Sequence, residues 1–281
     1  MPSSVPEVKA SMAIERIERA GDPRADAYRD LRDGELLRSR GVFVAEGRLV
    51  TRRLIEDGRY RIQSVLVNDA ALADLASVFM TVAADVPILV CSNDRLRGVT
   101  GYHVHRGCLA LVQRPAATPV DALLASARTL VVLEGVSNAD NVGGVFRNAA
   151  AFGADGVLLS PTCCDPLYRK AIRTSMGAAL QLPFARTRDE DWPNVLARLR
   201  AQGFTLVAMT PREPSETLDA CAARPRPPRI ALVLGTEGAG LTPAAEAAAD
   251  ARVRIPISGR VDSLNVAVAA GIALYRLRGT V

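Results

Sequence analysis

Short, nearly continuous apolar runs alternate with amphipathic stretches along the second half of the chain. Such runs are typical of parallel strands that are covered on both faces. The predicted strands are Thr129–Leu133, Gly156–Leu159, Thr205–Ala208, Ile230–Leu234 and Val253–Ile257. The predicted helices are Gly143–Phe152, Tyr168–Ala179, Asn194–Gln202, Thr242–Ala248 and Leu264–Leu277. The alternation predicts an α/β unit built on a parallel sheet.

The first half alternates less regularly. The first ~15 residues lack a clear period and are expected to be loose. Helices are predicted at 24–40, Leu49–Asp57 and Ala70–Phe79, and strands at Val42–Ala45, Ile62–Val67, Ile88–Val90 and Gly107–Val112. This pattern predicts a second, smaller α/β unit.

Two prolines, Pro115 and Pro119, separate the halves. A chain of 281 residues exceeds the ~150 residues of a typical domain, which favours two domains. We predict an N-terminal domain at 1–113, a linker at 114–121 and a C-terminal domain at 122–281.

Composition narrows the class of protein. Hydrophobic residues make up 49% and charged residues 23%, which excludes a mostly disordered chain. No apolar run reaches the ~18 residues of a membrane span, and the N-terminus lacks the apolar block of a signal peptide. The 5 cysteines lack C-x-x-C spacing, which argues against a disulfide scaffold and a zinc site. We therefore expect a cytoplasmic protein with no metal.

The net charge is +5, and only Lys9 and Lys170 among the 35 basic residues are lysines. Genome base composition explains this bias more simply than function does. Arginine also binds phosphates and stacks on bases, so the charge permits a nucleic-acid partner without requiring one.

Three polar segments follow predicted strands, where ligands of open α/β sheets bind. In the first, Asn141 stands near a predicted helix start, Gly143 and Gly144 allow a ligand to approach the backbone, and Arg147 follows one turn later. A helix start followed by an arginine is a plausible phosphate site. An ordinary helix cap with a surface arginine explains the same spacing equally well.

The second segment, Gly235 to Gly240, contains Glu237 but not G-x-G-x-x-G, so it lacks the dinucleotide fingerprint. Alone, it favours a tight turn with a capping acid. In the third, Pro256 interrupts an apolar strand, and Asp262 or Ser263 is a suitable N-cap. The small, apolar helix that follows is expected to pack against another helix or subunit.

Together these segments resemble the SpoU-TrmH family of RNA ribose 2'-O-methyltransferases, in the SPOUT superfamily. The matching patterns are Asn141-x-Gly143-x-x-x-Arg147, Leu234-Gly235-x-Glu237-x-x-Gly240-Leu241 and Ile255-Pro256-Ile257-x-Gly259-x-x-x-Ser263-Leu264-Asn265. They occur in the family's order over residues 129–281. Residues 40–112 resemble, more weakly, the ribosomal-protein-like substrate-binding domain that many members carry.

The resemblance implies a parallel α/β sheet whose C-terminal part forms a deep trefoil knot, with S-adenosylmethionine as cofactor. It places the donor against Gly235, Ile255 and Leu264, with Thr210 and Ile257 lining the pocket. It implies a catalytic set of Arg147, Asn141, Glu237, Ser263 and Asn265. A guanidinium group keeps its proton in proteins, so we expect Arg147 to clamp a phosphate and polarise the 2'-oxygen.

The resemblance also implies a homodimer through the knotted domain. It favours ribosomal RNA of the large subunit over transfer RNA. Arg48, Arg52, Arg53 and Arg106 are candidate RNA contacts because they cluster near Gly47 and Gly107. A nicotinamide-dependent dehydrogenase and a non-catalytic RNA-binding protein of the same fold are the alternatives.

Overall fold

The described part of the chain, residues 13–19, 21–29 and 33–278 of the computed structural model, contains two separate sheets. It divides into two units between Pro115 and Ala116. Val120 and Asp121, at the end of the predicted linker, already belong to a helix. Most of the segment that we expect to be loose lies outside the described residues.

The first unit is built on a five-stranded mixed sheet. Its strands are β1 (Ile14–Arg16), β2 (Val42–Glu46), β3 (Ile62–Val67), β4 (Ile88–Val90) and β5 (Cys108–Gln113), in the order β1-β4-β3-β5-β2. Its α-helices are α1 (Asp33–Glu35), α2 (Arg48–Asp57), α3 (Asp69–Phe79) and α4 (Asn93–Thr100). Strand β5 runs antiparallel to β2 and β3, whereas the other pairs are parallel.

The four strands and two of the three helices predicted for this unit are confirmed within a residue or so, and α2 ends at Gly58 as expected. The continuous helix at 24–40 is wrong. Pro23–Tyr28 forms a 3₁₀ turn, and Arg29 has extended backbone. Tyr28 is fully buried, with its hydroxyl 2.7 Å from Ser64 Oγ, so a tertiary contact that the local pattern does not encode interrupts the helix.

The second unit is built on a seven-stranded sheet in which every pair is parallel. Its strands are β6 (Thr129–Glu134), β7 (Gly156–Leu159), β8 (Phe184–Arg186), β9 (Thr205–Met209), β10 (Glu216–Thr217), β11 (Ile230–Gly235) and β12 (Ala251–Arg254), in the order β10-β12-β9-β11-β6-β7-β8. The parallel sheet predicted from the apolar runs is confirmed.

Helices cover both faces of this sheet and enclose two apolar clusters. They are α5 (Val120–Ser126), α6 (Ala139–Ala151), α7 (Arg169–Thr174), α8 (Ala178–Gln181), α9 (Trp192–Ala201), α10 (Leu218–Ala222), α11 (Pro243–Ala248) and α12 (Val266–Leu277). One cluster includes α6 and α12, and the other includes α5, α9 and α11. Burial on both faces explains why the strands lack polar alternation.

Three predicted boundaries in this unit are wrong. The helix at Tyr168–Ala179 is two helices, since Met176 and Gly177 have left-handed backbone with φ of 53° and 83°. The strand at Val253–Ile257 ends at Arg254, because Pro256 has no N–H for the ladder. The helix predicted from Gly143 begins at Ala139, after an Asn138 cap.

The two glycines of the first motif serve helix packing, so the expectation that they admit a ligand is wrong. A Cβ on Gly143 would lie 2.6 Å from the Ala171 carbonyl oxygen, and one on Gly144 would lie 2.7 Å from Ala267 Cβ. Helix α6 therefore approaches α7 and α12 too closely for a side chain at either position. Asn148 Nδ2 donates to the Ala267 carbonyl at 2.6 Å and fixes the second contact.

No helix among the described residues is long and apolar enough to span a membrane.

Candidate active site at the carboxyl edge of the parallel sheet

A cavity of about 520 Å³ lies at the carboxyl ends of β9, β11 and β12. The loops that follow these strands form most of its wall, and α12 contributes Val266 and Ala269. This volume is within the ~300–1,000 Å³ typical of small-molecule sites. Within the described residues, no group of three or more His, Cys, Asp or Glu side chains could hold a metal ion.

All five residues predicted to contact the methyl donor line this cavity: Thr210, Gly235, Ile255, Ile257 and Leu264. Glu237 and Ser263 of the predicted catalytic set also line it. Sequence reasoning missed Met209 and Val261 as lining residues, and considered Asp262 only as a helix cap. Neither Met209 nor Val261 is one of the residues that define the motifs, so no pattern singles them out.

Gly235 is required by the fold of its own loop. A Cβ on Gly235 would lie 2.2 Å from the Gly240 carbonyl carbon and 2.4 Å from the Leu241 nitrogen. The loop therefore closes back onto the end of β11, with a bridge between Thr236 and Gly240. Position 235 therefore requires a glycine, because any side chain would block this backbone contact.

Asn265 connects the three motifs. Its Nδ2 donates to Asn141 Oδ1 at 2.8 Å and to Glu237 Oε1 at 3.0 Å. Its Oδ1 accepts from the Ala267 and Val268 backbone N–H groups at 2.9 and 3.3 Å, so Asn265 is the N-cap of α12. One side chain thus both starts the helix and joins α6 to the loop after β11.

Asn265 replaces the predicted caps, Asp262 and Ser263, both of which are exposed beside the cavity. Asn141 is likewise not at the helix start. Asn138 caps α6 by accepting from the Asp140 N–H at 2.8 Å, and Asn141 lies in the first turn with only 6% of its surface exposed. Burial and the bond to Asn265 make Asn141 an internal support.

Arg147 projects from the exposed side of α6 and does not line the cavity. Its side chain makes no hydrogen bond or ion pair with any described residue of the chain. The start of the same helix is tied to α7, because Lys170 Nζ lies 2.7 Å from Asp140 Oδ2 and lowers the pKa of that carboxyl. The structure therefore joins Asn141, Asn265 and Glu237, and leaves Arg147 free for an external anion.

A buried carboxylate supports the far side of the loop after β11. Glu134, at the end of β6, accepts from the Thr242 N–H at 2.8 Å and from the Thr242 hydroxyl at 2.9 Å. It also accepts from Trp192 Nε1 at 3.0 Å. Since Thr242 caps α11, Glu134 fixes the residue at which the loop ends.

In the first unit, one cavity of about 430 Å³ is lined by Arg48, Arg52 and Arg106, as their predicted clustering requires. Arg53 lies on α2 with Arg48 and Arg52 but does not line this cavity. Arg48 Nε donates to the Arg106 carbonyl at 2.9 Å, and Arg52 donates to the Asp74 carbonyl at 3.0 Å. These bonds hold two guanidinium groups at the carboxyl end of β2.

Residues 128–275, which include every motif described above, match the profile of the SpoU rRNA Methylase family. The chain belongs to the SpoU methylase family. A tRNA/rRNA methyltransferase of Mycobacterium bovis, named as uncharacterized, is 43% identical over 258 residues, which cover 90% of this chain and 88% of the relative. The family resemblance expected from the motifs is confirmed.

Two further SpoU relatives are more distant in sequence. The Bacillus subtilis 23S rRNA (guanosine(2553)-2'-O)-methyltransferase RlmP is 26% identical over 95% of this chain and 100% of its own. The crystal structure of an AdoMet-bound rRNA methyltransferase from Sinorhizobium meliloti matches with a TM-score of 0.77 and 27% identity, covering 94% of this chain and 97% of that one. This SpoU chain is an RNA methyltransferase, and its family uses S-adenosylmethionine.

Proposed function

We propose that the chain transfers a methyl group from S-adenosylmethionine to a ribose 2'-hydroxyl of large-subunit ribosomal RNA in the cytoplasm. The observation that carries this proposal is the convergence of Asn141 and Asn265 on Glu237, which lines a donor-sized cavity. The name of the Bacillus subtilis relative supports both the ribose position and the ribosomal substrate. Methylation of transfer RNA is the second candidate function, since the name of the Mycobacterium bovis relative includes both transfer RNA and ribosomal RNA.

The residues of the cavity fit the donor. Ile255, Ile257 and Leu264 offer an apolar wall for an adenine ring, and the exposed carboxylate of Asp262 suits a cationic ligand. The Thr210 hydroxyl is already bonded to Glu246 at 2.7 Å, so Thr210 contributes shape to the pocket. When bound, S-adenosylmethionine supplies an electrophilic methyl group on a sulfonium.

The remaining residues act on the RNA and on one another. Arg147 clamps the phosphate beside the target ribose and polarises the 2'-oxygen, because a guanidinium keeps its proton at neutral pH. Asn141 orients Asn265, and Asn265 orients Glu237 at the mouth of the cavity. Ser263 shapes the rim beside them. Positioning of the two reactants then supplies most of the rate.

We also propose the trefoil knot, which the order of the strands supports. The connection from β9 to β11 carries β10 and α10. Strand β10 pairs with β12 on the side away from β9, and α10 packs on both β12 and α12. The connection from β9 to β11 thus leads around β12, and the chain after β12 continues into α12, which packs on α6 and β11. The knot would form if this last segment passes through the loop made by the connection from β9 to β11.

A homodimer is proposed from α12. Its inner side packs on α6, but Val268, Ile272 and Tyr275 are 50%, 37% and 51% exposed. Their spacing of four and three residues places them in one stripe, and such an apolar stripe is typical of a subunit contact. A two-fold interface would bury the stripe against its own copy.

We expect the pair Val268→Asp and Ile272→Asp to convert a dimer into a monomer. At a buried two-fold interface, the two introduced carboxylates of one protomer would lie near the same carboxylates of its partner. Both sets would also lose their hydration, so the dimer would be destabilised. Sedimentation at ~1 µM, where a dimer of ordinary affinity persists, measures the change. Met80→Asp, at an apolar residue that is 63% exposed in the first unit, is the matched control. A wild-type chain that sediments as a monomer contradicts the proposed interface.

The first unit is proposed to be the ribosomal-protein-like RNA-binding domain, with Arg48, Arg52, Arg53 and Arg106 as its phosphate contacts. We expect Arg48→Gln with Arg52→Gln to flatten the log–log salt dependence of RNA binding by ~1.4–1.8, since each phosphate contact contributes ~0.7–0.9. Filter binding to ribosomal RNA across salt measures the slope.

Arg40→Gln with Arg61→Gln is the matched control for this slope. It removes the same charge from the opposite end of the sheet, where both side chains line another cavity. The control should leave the slope near that of wild type. A flatter slope in the control pair alone would move the RNA surface to that end of the unit.

The proposed function is tested by incubating the chain with ribosomal RNA and isotopically labelled S-adenosylmethionine, then digesting the RNA to nucleosides. Mass spectrometry separates 2'-O-methyl nucleosides from base-methylated ones. We expect the label on ribose, and on ribosomal RNA in preference to transfer RNA. Label on a base contradicts the proposed position, and no label despite donor binding favours the non-catalytic alternative.

A further inference from the structure

The loop that carries Glu237 depends on contacts from outside it. Gly238 and Gly240 have left-handed backbone, with φ of 85° and 69°, and Glu237 itself is exposed. Glycines allow many backbone conformations, so a loop with two of them loses much conformational entropy when it is fixed. The loop nevertheless must hold Glu237 within 3.0 Å of Asn265 while it lines the cavity.

Arg212, in the loop after β9, holds this segment from the side. Its Nη1 donates to the Leu241 carbonyl at 2.9 Å, and its Nη2 donates to the Ala239 carbonyl. The planar guanidinium thus binds two carbonyl groups that follow Glu237 in the chain. These bonds leave the glycine segment fewer conformations.

Glu246, on α11, holds Arg212 in place. This carboxylate is only 8% exposed, and its Oε1 accepts from Arg212 Nη1 at 3.1 Å and from the Thr210 hydroxyl at 2.7 Å. Its Oε2 lies 3.8 Å from Arg252 Nη1. A buried carboxylate is costly without such partners, so Glu246 and Arg212 fix each other's position.

We propose that Arg212, anchored by Glu246, is a positioning residue for methyl transfer. It sets the loop after β11 so that Glu237 meets Asn265 and the wall of the donor cavity is complete. Neither Arg212 nor Glu246 acts on the reacting atoms. The role in catalysis rests on the proposed function, whereas the support of the loop can be measured without it.

The kinetic test uses the full chain with Arg212→Met, Arg212→Lys and the control Arg252→Met. Arg252→Met removes a cation beside the same Glu246, and Arg252 makes no hydrogen bond or ion pair with the loop among the described residues. Loss of the two charge-assisted hydrogen bonds to the loop should raise the KM for S-adenosylmethionine by about 10- to 100-fold in Arg212→Met. Arg212→Lys should recover part of this loss, and Arg252→Met should remain within about 2-fold of wild type.

A coupling measurement separates positioning from general destabilisation. Glu237→Gln is introduced into the wild-type chain and into Arg212→Met, well below the unfolding temperature of each. If Arg212 positions Glu237, the factor by which Glu237→Gln lowers kcat/KM is smaller in the Arg212→Met background than in the wild-type chain. Equal factors in both backgrounds, or an unchanged KM in Arg212→Met, would overturn the proposal.

Hydrogen exchange keeps the structural part testable without activity. Backbone amides of residues 236–241 should exchange faster in Arg212→Met than in Arg252→Met. If the wild-type chain transfers no methyl group, the proposed function fails, but faster exchange in Arg212→Met still supports the proposal that Arg212 holds the loop. Equal exchange in the two variants overturns that proposal whatever the activity.

Discussion

Arg147→Ala is expected to lower kcat for methyl transfer by at least about 100-fold, the usual cost of removing a contact that stabilises the transition state. The affinity for S-adenosylmethionine should not change, because Arg147 does not line the donor cavity. The fold should also be intact, since the Arg147 side chain is exposed and bonds to no other described residue. The expected signature is a loss in kcat alone.

Single-turnover kinetics and donor calorimetry on the same preparation measure the two quantities. Arg200→Ala is the matched control, since Arg200 is an exposed helical arginine whose ion pair with Asp250 lies in the same unit. It should retain wild-type activity. If Arg147→Ala keeps more than about a tenth of the wild-type kcat, the lost contact is too small for the assigned role.

Asn265→Asp is expected to lower kcat/KM by about 10- to 100-fold while it changes the free energy of unfolding by less than about 1 kcal/mol. An aspartate still caps α12 through one oxygen, because that oxygen needs only to accept. The other oxygen cannot donate to Glu237, and two carboxylates then face each other across 3.0 Å. Asn141 can rotate its amide to donate, but Glu237 has no such freedom.

Kinetics and chemical denaturation are measured together for this variant. Asn138→Asp is the control, since Asn138 also caps a helix through Oδ1 and its amide donates no hydrogen bond to a described residue of the other motifs. It should resemble wild type in both measurements. Equal activity in Asn265→Asp and Asn138→Asp would show that the amide donor of Asn265 is dispensable.

The sequence predicts elements well where the signal is local. The apolar runs of β3 and β4 give both strands their observed bounds, because each run is followed within two residues by a polar helix cap, Asn68 or Ser92. The sequence does not predict β8 and β10, since each strand is short and lies at an edge of the sheet. Pro256 signals an irregular strand end, but the pattern does not say that β12 ends before it.

The sequence predicts which residues form the candidate site, but it does not predict which of them contact one another. The motifs contain Asn141, Glu237 and Asn265, but Asn265 bonds to residues 124 and 28 positions away. The support of the loop is also not evident from the sequence. Arg212 is distant in sequence from the carbonyl groups that it binds, and neither Arg212 nor Glu246 belongs to a motif. The sequence suggests that Gly144 admits a ligand, because it does not reveal that α12 lies against this glycine. Long-range packing decides each of these points.

Mapping of 2'-O-methyl sites tests whether this chain methylates a ribose 2'-hydroxyl of ribosomal RNA with Arg147 as the principal catalytic residue, as we propose. Total RNA is mapped from a deletion strain complemented with the wild-type chain or with Arg147→Ala. We expect one ribosomal 2'-O-methyl site that is absent in the deletion strain, restored by the wild-type chain and not restored by Arg147→Ala. Restoration by both chains, or an unchanged map in the deletion strain, would contradict it.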